Sequence, residues 1–112
     1  MPDHIHALLT PSETTTLERA VQYIKGGSSR AIGATLKFRF PVWQPGFSDH
    51  RIRDRQDYEI HVDYIAQNPV KRGLATRAED YPWSSASGRF RMDPPPQRLK
   101  PREVVDAALR RG

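Results

Sequence analysis

No cysteine occurs in the 112 residues. A disulfide framework and a cysteine-based zinc site are both excluded, and nothing in the composition argues for an oxidising compartment. Long apolar runs are missing too: no stretch approaches the roughly 18 residues that a membrane-crossing helix needs. The first residues lack the basic-then-apolar order of a secretory signal, so no membrane role is expected and the simplest expectation is a cytoplasmic protein. Hydrophobic residues are scarce, at 37%, while 10 prolines and 7 glycines punctuate the chain. One loop-rich domain with a modest core follows. Negative charge is the minority sign, 13 Asp and Glu against 18 Lys and Arg, for a formal net charge of +5. That balance favours a polyanion, nucleic acid first, over acidic or neutral partners.

What is present begins with Met1-Pro2-Asp3-His4-Ile5-His6. Side chains alternate along a β-strand, so in a strand from His4 to Leu9 the two histidines share one face while Ile5, Ala7 and Leu9 point into a core. Two imidazoles side by side can chelate one divalent ion; a half-buried strand that carries two histidines is the plainer reading of the same pattern. A helix is expected to start at the Thr15/Glu18 capping-box pair, with Leu17, Ala20, Val21 and Ile24 as its apolar stripe and Lys25-Gly26-Gly27 as its stop. Thr35 to Phe40 alternates as a one-faced strand, and Phe47 to Ile52 reads as extended after the Pro45-Gly46 turn. Lys37, Arg39, Arg51 and Arg53 point outwards from these pieces, as phosphate contacts or simply as a solvated face.

Asp54 to Gln67 is the second expected helix, capped by Asp54, with Asp57 at its third position and Tyr58, Val62 and Ile65 as the apolar stripe. His61, Tyr64 and Asn68 fall at i, i+3 and i+7 and share a different face. Pro69 either kinks the helix or opens a new turn, and either geometry is expected to leave the Asn68 amide reaching outwards. Tyr81-Pro82-Trp83-Ser84-Ser85 should pack back on the domain. Residues 88–101, with Pro94-Pro95-Pro96, read as a linker, and residues 102–112 as a short C-terminal helix, Glu103 to Arg110, or a tail.

Four blocks together resemble the IS200-like transposase family, most of all its REP-associated tyrosine branch: Met1 to His6, Val42-Trp43-Gln44-Pro45-Gly46-Phe47-Ser48-Asp49-His50, His61 to Leu74 with Tyr64-Ile65-Ala66-Gln67-Asn68-Pro69 inside it, and Tyr81 to Ser85. The resemblance spans residues 1–87. It implies an α+β, ferredoxin-like antiparallel sheet with helices on one face, and an enzyme that cuts and rejoins single-stranded or hairpin DNA through a tyrosine, with one divalent ion. By the same resemblance His4, His6 and Asn68 are the metal ligands, Tyr64 is the nucleophile and His61 a candidate helper base. Lys71 and Arg72, inside the third block, join Lys37, Arg39, Arg51 and Arg53 as DNA-contact candidates. The chemistry is coherent: a phenol of pKa about 10 is a weak nucleophile, and a metal that polarises the phosphate makes its attack feasible. Two imidazoles and an amide oxygen suit Mg²⁺ or Mn²⁺. Family members carry a strand, a helix and another strand before the first block, so this chain reads as an N-terminally truncated member whose His4–His6 strand lacks a neighbour. The alternative to an active transposase is a decayed fragment that only binds DNA. Monomer and homodimer both stay open.

Overall fold

The computed structural model describes residues 1–37, 41–98 and 103–111. Three strands and two helices follow the order β1 (His4–Leu9), α1 (Leu17–Leu36), β2 (Ser48–Arg51), α2 (Arg55–Lys71) and β3 (Val105–Arg110), an α+β fold. The strands form one antiparallel sheet in the order β1-β3-β2. The last strand in the chain is therefore the middle one. It pairs with β1 in the register His4↔Arg110 to Leu9↔Val105, and with β2 from Ser48↔Ala108 to Arg51↔Val105.

This corrects one expectation: residues 105–110 are a strand, not a short helix. Among the described residues β1 lies at the sheet edge, paired on one side with β3. The Val105-Asp106-Ala107-Ala108-Leu109 segment contains a period of two as well as a loose helical one, and pairing on both edges decides between them. Val105, Ala107 and Leu109 alternate onto one face and are buried against Leu17 and Val21 of α1, with Leu9, Ile24, Trp43 and Phe47 packed around them. The opposite face carries His4 and His6 of β1, Asp106 of β3 and His50 of β2, because directly paired residues share a side. There α2 lies over the sheet. The two helices thus cover opposite faces, not one face as expected: α1 has an apolar stripe to bury, and α2 presents polar side chains to a polar sheet face.

Thr16, rather than Thr15, caps α1, its hydroxyl accepting the Arg19 N–H at 3.1 Å. The helix then runs through Gly26-Gly27, ten residues or so past the expected stop, although each glycine costs about 1 kcal/mol relative to alanine. Contacts from outside the helix hold it there: the Trp43 indole donates to Ser28 Oγ at 2.9 Å and Lys25 Nζ to the Gln44 carbonyl at 2.8 Å. Thr35 and Leu36 are helical, so the expected strand does not start at Thr35, and its residues 38–40 lie outside the described residues. α2 begins as expected, with Asp54 accepting the Asp57 N–H at 2.8 Å, but continues through Pro69 to Lys71. Two short 3₁₀ turns, Ala78–Asp80 and Ser85–Ser87, follow, the first packed on α2. Of the aromatic segment, Tyr81 and Pro82 are half-buried and Ser84 is buried, so it packs back on the domain in part, while Trp83 is 70% exposed. Residues 88–98 contain no helix or strand, and Arg55 donates to the Gln97 carbonyl at 3.2 Å. Among the described residues no helix is long and apolar enough to cross a membrane.

Candidate functional site

The polar sheet face and α2 enclose a chain of alternating imidazoles and carboxylates. At its centre is Asp106, directly opposite His50 on β2 and diagonal to His6 on β1. One carboxylate oxygen, Oδ2, accepts from His61 Nδ1 in a very short contact. The other, Oδ1, lies against His6 Nε2 as a close ion pair. That oxygen is fully buried yet has no hydrogen-bond donor among the described residues. Burial alone would push the Asp106 carboxyl up, but the imidazoles of His6 and His61 more than offset it and the net shift is downward.

His61 reaches a second carboxylate with its other nitrogen, Nε2, 3.4 Å from Asp57 Oδ1. Asp57 sits one turn earlier on α2 and also takes the Arg53 backbone N–H at 2.9 Å and His50 Nε2 at 3.0 Å, both on Oδ2. The Arg53 N–H, with help from His50, holds the Asp57 carboxyl down at about 2. The rings of His50 and His61 stack with centroids 4.6 Å apart, 8° from parallel.

On the β1 side, His4 is buried and its Nδ1 is bound to Asp3 Oδ1 at 2.7 Å. A carboxylate on one ring nitrogen fixes the ring and leaves the other nitrogen available, the arrangement typical of metal-bound histidines. The His4 and His6 rings are 6.3 Å apart. Tyr64 meets His6 edge-on at 5.8 Å and is 47% exposed, so its hydroxyl is beside the histidine strand and within reach of a ligand from solvent. Lys71 Nζ stands 5.6 Å over the face of the Tyr64 ring, and Arg72 Nη1 lies 3.4 Å from Asp3 Oδ1.

The fold thus gathers His6, Tyr64, His61, Lys71 and Arg72 around β1 and α2. Asn68 is on the same helix, one turn beyond Tyr64, but it is buried rather than reaching outwards, because the helix continues through Pro69 and carries Asn68 inward. The two ring nitrogens of His61 face the carboxylates of Asp57 and Asp106. Of the remaining basic residues, Arg53 is at the start of α2 beside Asp57 and Arg51 pairs with Asp49 at 3.7 Å on the face that α1 covers. Lys37 ends α1 in the left-handed region, φ 51°, while Arg39 lies outside the described residues. Reading the sequence missed Asp106, Asp57 and His50. An acid placed between the alternating Val105, Ala107 and Leu109 was the available signal for Asp106. Asp57 was legible only as a helix-start residue, and His50 only as the end of the Val42 to His50 block.

The chain belongs to the IS200-like transposase family, whose pattern, Transposase IS200 like, matches residues 1–68. Among its relatives is the REP-associated tyrosine transposase of Escherichia coli (strain K12), 38% identical over 86 residues that cover 76% of this chain and 49% of that protein. A putative REP-associated tyrosine transposase of Haemophilus influenzae is 35% identical over 95 residues, covering 76% of this chain and 54% of that one. The chain spans about half the length of the curated relatives it matches. No solved structure matches it. β3 and Asp106 lie outside the matched residues 1–68.

Proposed function

We propose that this chain cleaves and rejoins single-stranded DNA in transposition, with Tyr64 as nucleophile and His4, His6 and Asn68 as the holders of a divalent ion. The observation that carries the reading is the half-exposed Tyr64 ring edge-on to His6, with a lysine over its face. In the cleavage step the Tyr64 oxygen bonds to the phosphorus of a DNA phosphodiester, the bond from phosphorus to the 3′ oxygen breaks, and the proton given up by the phenol is balanced by one taken up from solvent on the departing 3′ oxygen. The products are a 5′-phosphotyrosine and a free 3′-hydroxyl, and the reverse step rejoins strands.

The residues present fit a cation. His4 is oriented by Asp3 with one ring nitrogen left over, and the buried Asp106 carboxylate beside His6 places a negative charge next to the histidine pair that favours a cation. Mg²⁺ or Mn²⁺ bound there supplies Lewis-acid polarisation of the phosphate. Lys71 and Arg72, at the end of α2 nearest Tyr64 and Asp3, attract the DNA backbone and hold it over the phenol. The net charge of +5 acts in the same direction.

Tyr64→Phe tests the assignment. Incubated with a labelled DNA strand and Mn²⁺, the wild-type protein should form a covalent adduct that survives denaturing electrophoresis, and the variant should form none while binding the strand nearly as well. An adduct that persists in the variant would move the nucleophile to another tyrosine, such as Tyr58 or Tyr23.

A further inference from the structure

β2 and the first turns of α2 bring three metal-binding side chains together apart from the His4 and His6 pair. Ligand atoms of His50, Asp57 and His61 all lie within 4.8 Å of one another. Rigid elements set that spacing. Asp57 and His61 are four residues apart on α2 and so sit one above the other, and His50 crosses from β2 with its ring parallel to that of His61.

Charge and orientation both point to a cation there. Asp57 and Asp106 are two buried carboxylates joined through His61, and among the described residues the one permanent cation touching either is Arg53, whose 76% exposed side chain stands 3.5 Å from Asp57 at the rim. The two carboxylates carry two negative charges, which one divalent ion balances. His61 is already oriented as a ligand would be: Asp106 holds its Nδ1, and its Nε2 is aimed at Asp57 Oδ1, 3.4 Å away. His50, 45% exposed, leaves one side open to water or to a further ligand.

From this we infer that His50, Asp57 and His61 form a second divalent-metal site, distinct from the His4 and His6 site, with Asp106 as the outer carboxylate that orients His61. Two imidazole nitrogens and one carboxylate oxygen suit Zn²⁺ or Co²⁺ better than Mg²⁺, and three protein ligands leave a coordination position open. Asp106 also touches His6, so the two sites share one carboxylate.

Titration of the metal-free full chain with Co²⁺, followed by heat and by the visible absorption of the bound ion, tests it. The wild type should take two ions, a His4→Ala/His6→Ala double variant one, His50→Ala one, and the triple variant none. In the double variant, Asp106→Asn should weaken the remaining ion by roughly 10–100-fold, the usual effect of losing an outer-shell partner. His50 is exposed on a sheet edge, so its replacement should leave the far-ultraviolet circular dichroism unchanged. A single wild-type ion that is lost in His50→Ala and kept in the double variant would uphold this site and remove the metal from the proposed cleavage centre. Unchanged stoichiometry and affinity in folded His50→Ala would overturn the second site while leaving the transposase reading untouched.

Discussion

Leu109→Ala probes the most consequential feature of the fold, the burial of the C-terminal strand at the centre of the sheet. Leu109 is 1% exposed and packs with Val105 and Ala107 against Leu17 and Val21. Truncating a leucine in such a place removes its transfer free energy and leaves a cavity, for a cost of about 2–5 kcal/mol. Leu109 is paired with Ile5 of β1 and the β2 ladder begins beside it at Ala108, so the backbone has little freedom to collapse into the hole, which argues for at least about 3 kcal/mol within that range. For a chain of this size that corresponds to a fall in melting temperature of roughly 12–24 °C. Urea denaturation followed by circular dichroism, extrapolated linearly to water, gives the difference directly. Val62→Ala, at a 41% exposed position on α2, is the control and should stay within about 0.5 kcal/mol. If Leu109→Ala behaves like that control, the last strand is not in the core and the site built on Asp106 does not exist.

Two further outcomes are expected. On a His50→Ala background, which leaves only the β1 site to be read, His6→Ala should lose Mn²⁺ more severely than Asn68→Ala, because imidazole is the stronger ligand; calorimetric titration gives the order. Asp57, whose carboxyl is held at about 2 instead of 3.8, stabilises the folded state fully above about pH 4, and that contribution disappears as the pH falls through 2. Unfolding in urea across this range should therefore show the wild type losing its advantage over Asp57→Asn as acid is added, and a constant difference would contradict the assignment.

The parts legible in the sequence are those specified by neighbours within one or two turns. Asp54 caps α2 because its side chain reaches three residues along, and the His61, Tyr64, Asn68 face follows from helical spacing alone. β1 follows from alternation. β3 was not legible because its alanines and valines satisfy two periods at once, and the choice is made by strands about 55 and 100 residues away in sequence. The extension of α1 through two glycines was hidden for the same reason: the Trp43 and Lys25 contacts that support it join segments that only the fold brings together. Asp106 combines both difficulties. A lone acid on a strand that could not be foreseen becomes the group on which His6 and His61 converge.

The strand order also governs when the molecule can take shape. Among the described residues β1 and β2 do not pair with each other; each pairs with β3, which leaves the ribosome after both. During synthesis the two earlier strands therefore wait with open edges. Neither the apolar layer nor the imidazole–carboxylate network closes until β3 arrives. The slow step of folding should be the capture of β3 between two strands distant from it along the chain.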